Sequence, residues 1–420
     1  MVHLLLGKDW TANTDEIYRR IARDVHNRQG NRILMVPELI SHEAERNLCQ
    51  AAGDTASRYA EVLSFTRLFR RVSDTMGKGA VECLDSGGRV VAMAAAARQL
   101  SSKLKAYAAV ETKPEFLTGL IDAVDEFKRC CITPEDLMEA ARQTEGSLAQ
   151  KLEELSLLMA GYDSLCARGK RDPRDQMTWL LEQLEEGTFA QEHVFYIDGF
   201  PDFTRQNLAI LEFLMENAKD VTISLNCDQV DSKLLAFEKA GQTAKLLYNA
   251  AKRAGVPISV ETVEPRQDDL NPVRERLFQG SIPEGKAKES LEVVRRGSVY
   301  AECLLAAHRV RELVADGARY RDIAVVCTDM GAYQPFMDMV FHRFHIPLYR
   351  SGNEEILTTG VIATVISGLE AAVGGFELRD VLGYLRAPLS PLDVDTCDQV
   401  ENYAITWALR GKAWTENWAG

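Results

Sequence analysis

The sequence predicts an α/β protein of two parallel-sheet domains, with a large helical insertion in the first. Three observations carry this. Short apolar, β-prone runs alternate with amphipathic stretches over residues 2–65 and again over 194–263, the spacing of βα units. Between about residues 79 and 186 the alternation stops and the pattern becomes almost wholly helical. After residues 267–289, a linker-like stretch rich in Pro, Gly and charge, apolar runs resume at 292–295. A first domain is therefore expected over 1–280, with its insertion at 79–186, and the beginning of a second, truncated domain over 288–420.

Residues 2–6 read as a strand, Gly7 opens a loop, and 15–26 read as a helix with Ile17, Ile21 and Val25 on one face and Thr14 as N-cap. A second strand is expected at 31–37, a helix at 41–52, and a third strand at 61–65 that runs directly into a basic helix start. The insertion reads as helices at 90–109, 114–127, 134–142, 148–167 and 177–184. The sheet resumes at 194–197 and 221–225, separated by a helix at 205–217, and a helix at 232–254 leads to a strand at 256–263. In the second domain, strands are expected at 292–295, 321–327 and 346–349, with helices at 299–316 and 333–344.

Composition excludes several classes. With 62 acidic and 49 basic residues the formal charge is −13, so net charge does not drive polyanion binding, although a local basic groove remains open. Nine scattered cysteines, an odd number without a C-x-x-C, argue against a disulfide framework. With no signal peptide and no apolar run of membrane-spanning length, a cytoplasmic protein without membrane contact is expected.

Two places invite chemistry. Val194–Ile197 ends in Asp198 and then Gly199, the way a buried parallel strand delivers a carboxylate to the ligand-binding rim of an α/β sheet. In a nucleotide hydrolase such an Asp orients Mg²⁺, and an acidic residue beside it polarises water; Gly199 has no side chain to do so. The first βα loop is the natural phosphate cradle. It keeps Gly7 and Thr14 at P-loop spacing but puts Ala12 and Asn13 where Gly and Lys belong, and Trp10 crowds it. It reads either as a degraded cradle or as an ordinary βα turn. Lys8 lies on the wrong side of the loop to substitute.

Ser64-Phe65-Thr66-Arg67-Leu68-Phe69-Arg70-Arg71 offers a hydroxyl, cations for phosphates and aromatic faces for base stacking where a strand enters a helix. The alternative places Phe65, Leu68 and Phe69 in the core and the arginines on a solvated face. Pro37 and Glu38 fall on the same rim. His3, His342 and His345 lack metal-ligand company, and Trp407, Trp414 and Trp418 read as packing.

Residues 4–14, 33–38, 62–67, 196–200 and 320–326 follow one another in the order of superfamily 1 helicase motifs, and 196–211, 346–349 and 401–411 are particularly AddB-like. The chain resembles the N-terminal part of AddB, the subunit that pairs with AddA in the bacterial AddAB helicase–nuclease. The resemblance implies two RecA-like domains of P-loop NTPase type. Position by position it sets Asn13 against the phosphate lysine, Gly199 against the catalytic glutamate and Thr328 against the γ-phosphate arginine. Gly7, Ala12, Asn13, Thr14, Asp198, Gly199 and Thr328 are thus expected to form a degenerate nucleotide site. Each such loss removes roughly 10³ in rate, so no catalytic residue, no metal and no bound ATP or Mg²⁺ is expected here. The resemblance implies DNA contact through Phe65, Thr66, Arg67, Arg70 and Arg71, and a coupling motif at Asp228-Gln229. It implies an AddA-type partner, single-stranded or duplex-end DNA, and a share in Chi recognition during double-strand break repair. The family's nuclease domain and iron–sulfur cluster match none of these residues. A partner-completed ATPase, with Thr14 and Asp198 on Mg²⁺, and a protein-interaction scaffold without DNA binding remain as alternatives.

Overall fold

Val2–Leu6 (β1) is an uninterrupted apolar run apart from His3, the composition of a strand covered on both faces. In a computed structural model, which describes residues 1–79, 81–108, 113–276, 290–350, 356 and 359–418, it lies inside a six-stranded sheet. The chain continues through α1 (Trp10–His26), β2 (Arg32–Met35), α2 (Ser41–Ala52), β3 (Ala60–Leu63) and α3 (Phe65–Thr75). There follow α4 (Ser86–Leu100), α5 (Pro114–Arg129), α6 (Pro134–Arg142), α7 (Gly146–Arg168), α8 (Gln176–Glu186) and the short α9 (Phe189–Glu192). The sheet is then completed by β4 (Val194–Ile197), β5 (Asp220–Leu225) and β6 (Ile258–Thr262), with α10 (Arg205–Asn217) and α11 (Glu238–Arg253) between them and α12 (Asn271–Arg276) after them. All pairings are parallel, in the order β3-β2-β4-β5-β1-β6.

Alternation along β1 sorts the layers. Val2, Leu4 and Leu6 join one core with residues of α3, α8, α10 and α11, while Leu5 joins the other with α1 and α2. A chain of alternating βα units thereby becomes three layers, and the C-terminal strand ends of β1, β4 and β5 converge at one rim.

Helices α4 to α7 bury a cluster of their own, separate from the sheet core, including Met93, Leu120, Leu158 and Tyr162. Beside it lies a buried charge network. Lys128 Nζ sits 2.8, 2.9 and 2.7 Å from Asp163, Asp172 and Asp175, and Arg89 pairs with Asp125 and donates to Tyr162 Oη at 3.1 Å. Burial opposes the charge on Lys128, but the three carboxylates hold its pKa above the usual lysine value. The entry and exit of these helices meet where Leu84 N donates to Arg171 O and Arg171 N to Glu82 O. Helix α8 returns to the sheet, with Leu180 and Leu184 in its core.

Two compact units are distinguished, Met1–Glu292 and Val293–Gly420. The second holds α13 (Val299–Ala315), α14 (Met330–Arg343), α15 (Gly360–Val373), α16 (Leu378–Leu385) and α17 (Val394–Thr406). Its strands expected at 292–295, 321–327 and 346–349 are not seen: no β-strand occurs among the described residues of this unit, so a second parallel sheet is not present among them. The backbone at Ile323 is extended, φ −112° and ψ 126°, but no neighbouring strand completes a ladder among the described residues. The expected linker, 267–289, falls largely on residues 277–289, outside the described residues.

The first helix also differs from expectation. It begins at Trp10, because the Asp9 carboxylate accepts from Thr11 N at 3.1 Å and caps it there. Thr14 is inside the helix and is not its cap.

Candidate nucleotide and nucleic-acid rim

The residues of the first unit expected to form a nucleotide site lie together at the ends of β1, β4 and β5. A cavity of about 210 Å³ is lined by Trp10, Asn13, Thr14, Asp198, Gly199, Ser224 and Asn226, with Phe200 and Pro201 completing it. No lysine or arginine lines it among the described residues, and it is smaller than the roughly 300 Å³ at which small-molecule pockets begin.

Asn13, 2% exposed, is turned into the base of the loop. Its amide donates to Gly7 O at 3.3 Å and to Leu225 O at 3.1 Å, tying the ends of β1 and β5 together. Asn226, assigned with its amide nitrogen inward, donates to Gly7 O at 2.9 Å and Lys8 O at 3.2 Å. A Cβ on Gly7 would stand 2.1 Å from Asn13 Oδ1, so only glycine fits beneath that amide. Ala12 is buried beside it, and Trp10 is 63% exposed at the mouth. Asp9, 3% exposed, accepts from Arg266 through both N–H (3.2 Å) and Nε (3.1 Å), while Arg274 lies 3.8 Å away. The segment after β6 thus straps the loop from outside.

Asp198 is buried, and its carboxylate accepts from Thr14 Oγ1 at 2.8 Å and from Ser224 Oγ. Burial pushes its pKa up; the two hydroxyls and the Gly199 N–H oppose that without cancelling it. Gly199 has φ +79°, and a Cβ there would approach Ile40 Cδ1 to 3.1 Å and Pro37 Cδ to 3.3 Å. A glutamate next to Asp198 would therefore be strained by the backbone and crowded by these neighbours. Thr328 is exposed in the second unit, one residue before Asp329, the N-cap of α14.

The basic helix start forms the adjoining part of the rim. Ser64 Oγ caps α3 by accepting from Arg67 N at 3.2 Å and itself donates to the Glu38 carboxylate. Arg67 pairs with Glu45 at 2.7 Å and reaches Glu38 at 3.7 Å. Arg71 is held by Glu61 at 3.0 Å, and hydrogen bonding to that carboxylate raises its pKa. Arg70 is exposed and makes no hydrogen bond or ion pair among the described residues, and Thr66 is half-buried. Phe65 is buried edge-on against Phe200, centroids 5.6 Å apart, and Phe69 is buried against Trp179. The structure thus brings the polar and cationic members of the motif to the surface and packs both aromatic rings inside.

Asp228 and Gln229 lie in the bend after β5, with Asp228 Oδ1 buried and without a hydrogen-bond partner among the described residues. His3 sits at the far end of the sheet, bonded to Ser259 at 2.7 Å and Glu261 at 3.1 Å. Tyr403 stacks on Trp418, and Trp418 meets Trp414 edge-on. Among the described residues no helix is long and apolar enough to cross a membrane.

Sequence reasoning missed Asp9, Ser224, Asn226 and Glu45. A polar Ser inside the apolar run Ile223-Ser-Leu225 marks Ser224, since a buried hydroxyl needs a partner. The others depend on long-range pairing and leave no local trace.

Comparison with known proteins supplies a context for this geometry. Residues 4–274 match the family described as ADDB, N-terminal. A protein of Alkaliphilus metalliredigens described as the B subunit of an ATP-dependent helicase/deoxyribonuclease is 28% identical over 98% of this chain and 36% of its own length. Proteins with the same description from Clostridium kluyveri and Thermoanaerobacter sp. are each 27% identical, over 96% and 99% of this chain and 36% and 38% of their own. The chain spans little more than a third of the length of these relatives.

Proposed function

This chain belongs to the ADDB N-terminal family, and from that premise we propose that it is the DNA-gripping, non-motor region of the B subunit of a helicase–deoxyribonuclease. The observation that carries the reading is a contrast between two neighbouring parts of one rim. Where a nucleotide hydrolase holds its phosphates, Asn13 is folded down onto backbone carbonyls, no cation lines the cavity among the described residues, and Gly199 supplies no water-polarising carboxylate. These residues do not fit Mg-ATP, because the phosphate charges find no counter-charge there. Beside it, Thr66, Arg67 and Arg70 start a helix at the surface, the chemistry that positions single-stranded DNA by its phosphates.

On this reading Asp198 braces the rim through Thr14 and Ser224, and α3 offers the strand its first contacts. The partner is the other subunit of such an enzyme, and the ligand is the single strand emerging from an opened DNA end. Reading of a Chi sequence in that strand belongs to the same proposal. The deoxyribonuclease activity named in the relatives is assigned to none of these residues.

Fluorescence anisotropy with a labelled single-stranded oligonucleotide tests it. Weak binding that falls steeply with salt is expected, lost in Arg67→Glu, with no heat of binding for Mg-ATP in calorimetry. Micromolar Mg-ATP affinity would favour a partner-completed ATPase built on the retained Thr14–Asp198 pair. No oligonucleotide binding at low salt would leave only a scaffold.

A further inference from the structure

Arg67 is the central cation of this rim, yet it is not free. Its guanidinium lies against Glu45 at 2.7 Å and near Glu38 at 3.7 Å, while Glu38 also accepts the Ser64 hydroxyl. The two carboxylates come from different places: Glu38 from the turn after β2 and Glu45 from the first half of α2. Both remain substantially exposed, so neither is buried to serve the core. Glu38, Ser64, Arg67 and Glu45 form one hydrogen-bonded chain across the strand ends, in the place where a DNA phosphate would approach.

Resting on the DNA-binding reading above, we infer that Glu38 and Glu45 are positioning residues that act as an internal stand-in for phosphate. They hold the Arg67 side chain extended along the rim and must release it when a strand binds. A phosphate meets Arg67 only by displacing carboxylates that already satisfy it, so each contact is an exchange of anions and the net gain per phosphate is small. Such a surface favours strands that add further contacts and lets others slide past, a useful property in a region that must not stall on arbitrary sequence. Arg71, paired with Glu61 at 3.0 Å, repeats the device one turn further along α3, whereas Arg70 is left outside it.

The test compares single-stranded DNA binding by the full chain and its variants across a salt series. Glu45→Gln is expected to bind about 2- to 5-fold tighter than the parent at low salt, the worth of one exposed ion pair. Its salt slope should steepen by about 0.7, because one more cation is free to release counter-ions. Glu43→Gln on the same helix is the control: it removes the same charge from a side chain that does not pair with Arg67, and a smaller effect is expected. Glu45→Gln combined with Arg67→Ala should lose the gain altogether. If Glu45→Gln and Glu43→Gln behave alike while Arg67→Glu abolishes binding, the stand-in role is overturned and the DNA-binding reading stands. If Arg67→Glu binds as the parent does, the reading beneath falls and this inference with it. Thermal melts of each variant guard against mistaking unfolding for lost binding.

Discussion

Substituting Gly199 by glutamate would place beside Asp198 the residue that an active nucleotide hydrolase carries next to its strand carboxylate, and the structure predicts that it is accommodated only at a cost in stability. The backbone there has φ +79°, where an ordinary L-residue costs about 1–2 kcal/mol relative to glycine. The new Cβ would also lie 3.1 Å from Ile40 Cδ1 and 3.3 Å from Pro37 Cδ, so both side chains would have to shift. Overpacking of that kind adds about 1–2 kcal/mol. A total of roughly 2–4 kcal/mol is a large part of the stability of an average domain. Urea unfolding measures it as a lowered midpoint with an unchanged slope. Gly199→Ala should lose nearly as much, since the cost begins at Cβ. Gly255→Ala, at φ +69° with nothing within 4 Å of its Cβ, isolates the backbone share and should lose only about 1–2 kcal/mol. A Gly199→Glu protein as stable as the parent would refute the reasoning, and Mg-dependent ATP hydrolysis by it would refute the reading that these residues do not fit Mg-ATP.

Two further outcomes follow from buried charge. Asp198 has a folded-state pKa raised by burial, so folding favours its protonated form; stability should fall as pH rises from the unfolded value near 3.8 through the raised one. Asp198→Asn should therefore flatten this part of the pH profile and raise the urea midpoint at pH 7 more than at pH 4; a variant less stable than the parent at pH 7 would contradict the assignment. Lys128→Met leaves Asp163 and Asp175 without their cation and Asp172 with only Arg89, 3.4 Å away, at a cost of about 3–5 kcal/mol. Hydrogen exchange should rise across α4–α7 first, and Asp172→Asn added to it should recover part of the loss; unchanged exchange there would show the network to be dispensable.

Much of the first unit is legible in the sequence. β1 and β4 match their apolar runs to the residue, because a strand buried on both faces is a continuous hydrophobic run ended by a turn. Helices α2, α6 and α10 match equally well, through their periodicity. The start of α1 is hidden because Trp-Thr-Ala-Asn resembles loop, and only the bond from Thr11 N to Asp9 shows otherwise. The strands expected in the second unit fail for a different reason: β-propensity marks a segment that suits a sheet but cannot supply the neighbour that makes one. At the rim, the residue types are readable and their partners are not. Nothing local announces that Glu45 reaches Arg67, or that Asn13 spans from Gly7 to Leu225. Gly199 reads as a missing function, whereas its φ and the approach of Pro37 make glycine the residue that fits there without strain.

The strand order also sets a timetable. β1 is made long before β5 and β6, yet these are its two neighbours: Val2 pairs with Val221 on one side and Ile258 on the other. During synthesis β1 must wait, with Leu4, Leu5 and Leu6 unsheltered, until nearly the whole first unit has left the ribosome. Helices α4–α7, whose contacts are close in sequence, can collapse long before that. Nascent chains are therefore expected to carry a folded helical lobe and an unclosed sheet, a state in which exposed strands invite aggregation and chaperone capture. Arrest of translation before residue 220, followed by limited proteolysis, should find the lobe protected and β1 cleavable.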